Sequence, residues 1–339
     1  MITGHHFTKA RRFEMLRSRL LLRSFCSASE TASVYSPSLS EIKHLRYTSE
    51  APIKDCKKAL VEANGALPAA LEWLRKKGIA SASAKSGRST LEGLVGMCLD
   101  GHVGSVVEIN SETDFVARHE HFQDLVRNIA LSLTNNNENI SKTQMDKKEL
   151  LNVRVGTSLV FDLIPSLIGK MGENLAPRRG TTLSVNQGSV IGYVHNEVGE
   201  NVGRTASLIA LEHEPVSKEV HEAIQSMGKK LAMHIVAAKP RYLDQSQVPQ
   251  EVVDKEKAFL MEEASGSGKP LAIVEKMVLG RMNKFYGEVC LVNQPHLILA
   301  ENPKVSTVLV QFNNKHKVEV KVASYVRYHV GEDDDHKEE

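Results

Sequence analysis

The sequence is poor in aromatic residues, in cysteine and in unbroken apolar runs, and each shortage excludes a class of protein. Phe, Tyr and Trp make up only 5% of the 339 residues, which argues against an aromatic platform for single-stranded nucleic acid. No apolar run approaches the length that spans a membrane. The cysteines are scattered without a C-x-x-C pair, so they predict no disulfide framework and favour a reducing compartment; they are Cys26, Cys56, Cys98 and Cys290.

Neither sign of charge dominates. The chain has 43 Lys and Arg residues against 41 Asp and Glu residues, and the formal net charge of +2 recruits neither nucleic acid nor a membrane surface. The rest of the composition is ordinary for globular domains, with 41% hydrophobic and 25% charged residues. The length predicts two or three folding units.

The usual signatures of enzymes are missing as well. A phosphate-binding P-loop requires G-x-x-x-x-G-K-[ST], but Gly268-Lys269 is followed by Pro270, and Glu263 occupies the leading glycine position. The sequence at 119–121, HEH, does not match the H-E-x-x-H zinc motif, and G-x-S-x-G does not occur. We therefore expect no catalytic chemistry, no metal and no cofactor. A hydrolase whose residues are dispersed over distant loops is left open as an alternative.

Residues 1–37 differ from the rest of the chain in charge and composition. They are rich in arginine and serine, and up to Phe25 six basic residues stand against one acid, Glu14. The apolar stretch RLLLR is too short for a secretory signal. This pattern predicts an organelle transit peptide over 1–37, and the alternative is an N-terminal arm of no special meaning.

Residues 38–80 predict a three-helix domain, followed by a linker over 81–92. Apolar residues recur at helical spacing on three segments that begin behind a serine or a proline, and the third helix is expected to end at Gly78. The sequence IASASAKSGRST then favours a linker. A unit of about forty residues is near the lower size limit of stability, so it is better suited to docking than to chemistry. The expected buried stripe comprises Leu39, Ile42, Leu45, Ile53, Cys56, Ala59, Leu60, Ala63, Leu71 and Leu74.

Residues 93–248 contain one pattern twice, which predicts two related α+β halves of one core, 93–187 and 188–248. In the first half, two strands flank the turn pair Asp100-Gly101 and lead through a loop to an amphipathic helix. In the second half, SVIGYVHNEVGENVGRTASLIALEHE repeats the two strands, and a helix follows.

The remainder of the chain predicts three further segments. Residues 249–294 predict an antiparallel helical hairpin, a short coiled coil, joined by SGSGKP. Residues 295–330 predict a C-terminal segment that closes the core, and 331–339 is an acidic tail.

One loop carries a side chain that loops normally lack. In INSETDFVAR (109–118), a strand-like run ends in polar residues and is followed by Asp114-Phe115, an acid beside a large aromatic ring. The acid could cap a helix before a core phenylalanine, or the phenylalanine could be exposed and intended for another protein. The residues by themselves favour the first interpretation.

Several longer stretches resemble translation elongation factor Ts. They follow the family's order over roughly residues 39–330 and read LRYTSEAPIKDCKKALVEANG, VEINSETDFVARHEHF, IGKMGENLAPRR, LAMHIVAAKPRYL and VEKMVLGRMNKFYGEVCLVNQP. The resemblance implies an α+β fold with a ubiquitin-associated-like N-terminal bundle, a core of two halves and a protruding helical hairpin. With its leader, the chain resembles a mitochondrial member, which implies the mitochondrial matrix.

The resemblance implies guanine-nucleotide exchange on elongation factor Tu, the GTPase that delivers aminoacyl-tRNA during translation elongation. The nucleotide site then belongs to the partner, here an organellar GTPase, and this chain binds no nucleotide, nucleic acid or membrane itself. In the family, the T-D-F-V stretch disturbs the Mg²⁺ and phosphate region of the partner. That stretch corresponds here to Thr113, Asp114, Phe115 and Val116, so the resemblance favours an exposed Phe115.

Further contacts with the partner are implied elsewhere. His234 matches a second contact, although a satisfied histidine at a helix end explains it equally well. Arg46, Ile53 and Lys54 occupy contact positions of the N-terminal domain, and Ile53 also fits the core stripe. At this point the chain departs from the bacterial pattern, with S-E-A-P-I-K in place of T-G-A-G-M-M. The hairpin, at 250–290, is a family contact as well.

A rival interpretation comes from another class of protein. The N-terminal bundle also resembles a ubiquitin-associated-type adaptor module that has no exchange activity. That interpretation leaves the T-D-F-V loop and the hairpin without a role. Release of labelled GDP from the factor Tu GTPase, with and without this chain, separates the exchange factor from the adaptor.

Overall fold

The computed structural model describes residues 35–135, 143–265 and 270–332. It has the predicted α+β fold, in which a helical bundle, a sheet-containing core and a helical hairpin follow one another along the chain. The predicted leader lies outside the described residues except for 35–37. The predicted turn of the hairpin at 266–269 and residues 333–339 of the predicted acidic tail also lie outside them.

The bundle consists of α1 (Leu39–Ser49), α2 (Ile53–Glu62) and α3 (Leu67–Lys85). Ser38 begins α1 with a capping box, in which its hydroxyl and the Glu41 carboxylate each accept from the other residue's backbone N–H. The predicted stripe largely forms the core of the bundle, but Leu39 and Ile53 are 77% and 53% exposed. Both expectations of burial were wrong, because each residue is the first of its helix and projects beyond the packed turns.

The predicted end of the third helix at Gly78 was also wrong. Helix α3 continues through the expected linker to Lys85, so only residues 86–91 connect it to the sheet. The Ala-rich sequence after Gly78 is a good helix former, and Gly78 is retained for packing rather than as a helix stop. Its Cα faces a second glycine, Gly169, on a helix of the core.

The first half of the core contains six strands and four helices within the described residues. In chain order these are β1 (Glu92–Asp100), β2 (Val103–Ser111), α4 (Asp114–Ala117), α5 (Glu120–Asn135), β3 (Thr143–Met145), α6 (Lys147–Leu151), β4 (Arg154–Val155), β5 (Ser158–Leu159), α7 (Val160–Met171) and β6 (Leu175–Ser184). The second half contributes β7 (Gly188–Gly199), β8 (Val202–Glu212) and α8 (Lys218–Ala238). A last helix and strand follow the hairpin, α11 (Val305–His316) and β9 (Lys321–His329).

Seven of these strands form one antiparallel sheet. Its order is β3-β6-β2-β1-β8-β7, with β9 paired to β8, and β4 and β5 form a separate two-stranded ribbon. The two halves join where Val95 and Gly96 of β1 pair with Gly203 and Val202 of β8. Strand β9 closes the second half, as predicted, whereas α11 and the elements between 143 and 184 were not predicted.

A hydrogen bond that recurs in both halves supports the internal repeat. The Ser105 hydroxyl on β2 donates to the carbonyl oxygen of Ala130 on α5, with 2.6 Å between the oxygens. The Ser207 hydroxyl on β8 donates to the carbonyl oxygen of Ala232 on α8 at 2.7 Å. Both pairs are separated by 25 residues and all four positions are buried. The same strand–helix unit is therefore built twice.

The hairpin consists of α9 (Gln250–Ser265) and α10 (Leu271–Val289), as predicted. Its helices pack through an apolar seam of their own, which comprises Leu260, Ala264, Val274, Val278 and Met282. Among the described helices, none is both long and apolar enough to cross a membrane.

The α3–α7 crossing gives a prediction for Gly78→Ala. A β-carbon at this position would lie 2.9 Å from the backbone carbonyl oxygen of Pro165, and a backbone atom cannot be displaced cheaply. We expect the free energy of unfolding to fall by about 1–3 kcal/mol despite the better helix propensity of alanine.

Gly280→Ala is the matched control, since a β-carbon at Gly280 on α10 meets no atom within 4 Å. It should stabilise the chain by roughly 1 kcal/mol through helix propensity alone. Urea unfolding of both variants measures the difference. Equal stabilisation by the two substitutions would show that α3 and α7 do not approach closely.

Candidate functional site

Phe115 lies on the surface, next to residues that are buried. Strand β2 ends at Ser111, and the short helix α4 begins at Asp114. The Phe115 side chain is 77% exposed, whereas Val116 and Ala117 are 6% and 5% exposed and join the core beneath the sheet. The interpretation of Phe115 as a core residue is therefore wrong. Val116 cannot offer its side chain to a partner, contrary to the sequence-based expectation.

The backbone before Phe115 is held by a neighbouring connection. Glu173, which follows α7, accepts hydrogen bonds from the Thr113 backbone N–H at 3.1 Å and from the Thr113 hydroxyl at 2.9 Å. Glu112 in turn accepts from the Asn174 backbone N–H at 2.6 Å. Each glutamate thus binds the N–H of the residue that follows the other glutamate. This connection, IGKMGEN, was not predicted to have a role.

Asp114 is the first residue of α4, where a negative charge is favourable to the helix dipole. Its carboxylate lies 3.0 Å from the Arg118 guanidinium, one turn later. The Arg118 side chain is 73% exposed and that of Asp114 is 43% exposed, so the ion pair contributes at most about 1 kcal/mol. The Asp114 carboxylate can therefore exchange Arg118 for another positive centre at little cost.

One carboxylate of the bundle contacts two helices of the core close to this segment. Glu50, between α1 and α2, lies 2.8 Å from Lys170 of α7 and 2.8 Å from His121 of α5. The hydrogen bond from Lys170 lowers the pKa of Glu50, against the opposing effect of desolvation. Arg75 of α3 pairs with Asp162 of α7 at 3.3 Å and adds a second contact between bundle and core.

The predicted contact residues of the bundle lie on either side of Glu50 in the chain. Arg46, Ile53 and Lys54 are all exposed, so their side chains are accessible to a partner. Glu50 contacts α5 only six residues after Phe115. Glu50 therefore links the part of the bundle between these residues to the helix that follows the Phe115 segment.

His234 lies elsewhere and is completely buried. Its Nε2 donates to the side-chain oxygen of Gln294 at 3.1 Å, and its Nδ1 accepts from the Leu297 backbone N–H at 3.2 Å. His234 is thus a satisfied histidine, one of the two interpretations that the sequence left open. The His234 side chain has no exposed surface, so it cannot make the direct contact with a partner that the resemblance implied.

Taken together, a protruding aromatic side chain on a braced segment, with an adjoining helical bundle and a separate hairpin, is an arrangement suited to docking on another protein. A sequence model of the family described as Elongation factor TS matches residues 112–332. The chain is 40% identical to the Elongation factor Ts of Paramagnetospirillum magneticum over 86% of this chain and 90% of that protein.

Two further relatives give the same result. The Elongation factor Ts of Rickettsia felis is 40% identical over 89% of this chain and 94% of that protein, and that of Agrobacterium fabrum is 41% identical over 86% and 91%. The chain belongs to the elongation factor Ts family, a family of translation elongation factors.

The buried histidines predict how the stability of the chain depends on pH. His296 packs against His234 with ring centroids 5.0 Å apart, and its Nε2 is buried with no hydrogen-bond partner among the described residues. Burial lowers the pKa of His296 to about 4 from an ordinary value of 6.5, and it also lowers the pKa of His234. The unfolded chain therefore binds protons at these residues before the folded chain does.

Stability should consequently be complete above pH 6.5 and fall as the pH drops toward 4. One such histidine accounts for about 2 kcal/mol between pH 7 and 5. His296→Phe removes one titrating group, so its free energy of unfolding should fall less steeply over that interval in urea titrations. Identical slopes for the variant and the parent chain would contradict the assignment.

Proposed function

We propose that this chain is a guanine-nucleotide exchange factor for elongation factor Tu and that Phe115 is the residue that promotes GDP release. Membership of the elongation factor Ts family supports the activity and the partner. The single observation that carries the assignment of the residue is the 77% exposure of Phe115 on a segment whose neighbouring residues are fixed.

In the proposed reaction, the chemistry belongs to the partner's nucleotide site. Mg²⁺ compensates the charge of the GDP phosphates, so any displacement of its ligands leaves that charge uncompensated. Phe115 enters an apolar gap of the partner beside this site, and Asp114 brings a negative charge next to it. Thr113 and Val116 serve the same event indirectly, because one is bound by Glu173 and the other is anchored in the core.

The binding free energies involved indicate that Phe115 acts together with other contacts. A nucleotide bound with nanomolar affinity corresponds to about −12 kcal/mol. Burial of a phenylalanine side chain contributes roughly 2–3 kcal/mol, so Phe115 alone offsets only a part of the nucleotide's binding energy. Contacts elsewhere must supply the rest. Binding linkage also requires that the nucleotide weaken the affinity of this factor for the partner by the same ratio as the factor weakens the affinity of the nucleotide.

We assign that additional docking to the bundle and the hairpin. The exposed residues Arg46, Ile53 and Lys54 contact the GTPase domain in this proposal, and the hairpin at 250–290 forms a second contact. His234 contributes by holding the segment that begins at Gln294 rather than by touching the partner.

The leader is the basis for placing this chain in mitochondria. Its arginine-rich, acid-poor sequence is typical of a transit peptide that is removed on import, and the partner would then be the organellar factor Tu. A reporter fused to residues 1–40 should accumulate in the mitochondrial matrix, and a cytosolic or chloroplast reporter would contradict this location.

The proposal predicts separate effects of Phe115→Ala on stability and on exchange. The free energy of unfolding should change by well under the 3–5 kcal/mol that a buried phenylalanine costs, because the side chain is mostly exposed. GDP release from elongation factor Tu, followed with a fluorescent nucleotide, should slow by roughly thirtyfold or more, the factor that corresponds to 2–3 kcal/mol.

Asp114→Asn should slow release more mildly, because it removes the charge and keeps the shape. Val310→Ala is the control, since Val310 is 57% exposed on α11, a helix that takes no part in the proposed docking. It should leave the maximal release rate unchanged at saturating concentrations of the factor. A Phe115→Ala chain that releases GDP at the parent rate would exclude Phe115 as the active element.

A further inference from the structure

The connection after α7 meets the Phe115 segment through two glutamates. Gly172 ends α7 in the left-handed conformation, with φ of 79°, and turns the chain toward the end of β2. Glu173 then accepts from both polar groups of Thr113, its backbone N–H and its hydroxyl. Glu112 accepts from the Asn174 N–H, which makes the arrangement reciprocal.

We propose that Glu173 is a positioning residue for nucleotide exchange. It fixes Thr113, and through Thr113 it sets the direction in which helix α4 carries Phe115 toward the partner. This inference rests on the proposed function and adds to it a residue that acts without touching the partner's nucleotide site.

Helix α4 is too short to fix its own orientation. It has four residues, fewer than a helix needs to be stable in isolation, and the Thr113 side chain makes no capping hydrogen bond to it. The orientation of α4 therefore depends on what holds its two ends. Val116 and Ala117 are buried at one end, and the hydrogen bonds from Thr113 to Glu173 hold the other.

The brace is reinforced from the bundle side. Arg88, just after α3, lies 3.3 Å from Glu112, and its backbone carbonyl accepts from the Asn174 side-chain amide at 3.1 Å. Lys170, three residues before Glu173, binds Glu50 of the bundle. Glu173 therefore stands on a frame that is fixed on both sides, and Phe115 is presented by that frame.

Ordering this segment in advance removes a cost from binding. A side chain on a mobile segment gains the same contacts on insertion, but the segment must then lose its conformational freedom in the complex. Without Glu173, the chain should still dock through its bundle and hairpin. The step that weakens is the insertion of Phe115, so the loss should appear in the maximal rate of exchange rather than in the concentration needed for half of it.

The test compares Glu173→Ala and Glu173→Gln in the full chain with elongation factor Tu. GDP release is measured over a range of factor concentrations, so that the maximal rate and the half-saturating concentration are obtained separately. Glu173→Ala should lower the maximal rate roughly tenfold, the size expected for loss of a charge-assisted hydrogen bond, with little change in half-saturation. Glu173→Gln should restore part of the rate, because its amide oxygen still accepts from Thr113.

A second background distinguishes positioning from a general structural role. In a Phe115→Ala chain, the further change Glu173→Ala should have no effect on the rate, because nothing is left to position. Glu149→Ala is the matched control: Glu149 also accepts from a backbone N–H, that of Asp146 at 2.8 Å, but it caps α6 away from the Phe115 segment. It should exchange at the parent rate.

Two different outcomes separate the two claims. An equal loss from Glu173→Ala with and without Phe115 would overturn the positioning role and leave the proposed function intact. A normal rate for Phe115→Ala would overturn the proposed function and this role with it. If Glu173→Ala reduces thermal stability sharply, Glu173→Gln in the two backgrounds gives the same decision.

Discussion

The close approach of α3 and α7 is the contact on which the candidate surface depends. Gly78 and Gly169 allow the two helices to meet without intervening side chains, with Gly78 buried at the crossing. That approach brings Lys170 within reach of Glu50 in the bundle, and the next turn of the chain brings Glu173 to Thr113. Helix α7 therefore sets the positions of the bundle, the core and the Phe115 segment relative to one another.

This arrangement explains how an exposed aromatic side chain can be both accessible and well directed. Phe115 contributes almost nothing to the packing of the free chain, so its position has to be imposed by its neighbours. Burial of Val116 and Ala117 fixes one side, and the reciprocal glutamates fix the other. Because little of the apolar surface of Phe115 is buried on folding, its burial can contribute free energy to binding of the partner.

Periodicity was sufficient to predict the larger elements. The buried faces of α5 and α8, the paired strands and the hairpin seam all follow from apolar spacing, because each is packed along its whole length. Local rules failed at element ends. Gly78 has the appearance of a helix stop in sequence, but the Ala-rich segment after it continues the helix, and only α7 packed against it explains why a glycine stands there.

The site itself was predictable only in part. The unusual position of Phe115 could be recognised from the sequence, and the resemblance to the family gave it a role. The partnership of Thr113 with Glu173 spans 60 residues and depends on the tertiary fold, so no local pattern announces it. For the same reason, the burial of His234 beneath the 294–297 segment could not be distinguished from exposure at a helix end.

The central claim is that Phe115 couples the binding of this chain to the release of GDP. The most direct test is the thermodynamic coupling itself: the affinity of this chain for elongation factor Tu, measured by calorimetry with the nucleotide-free GTPase and with the GDP-bound GTPase. We predict that GDP strongly weakens binding of the parent chain. In Phe115→Ala the ratio of the two affinities should be smaller, and the chain's effect on GDP affinity should fall by the same factor. An unchanged ratio for Phe115→Ala would show that the coupling resides elsewhere in the interface.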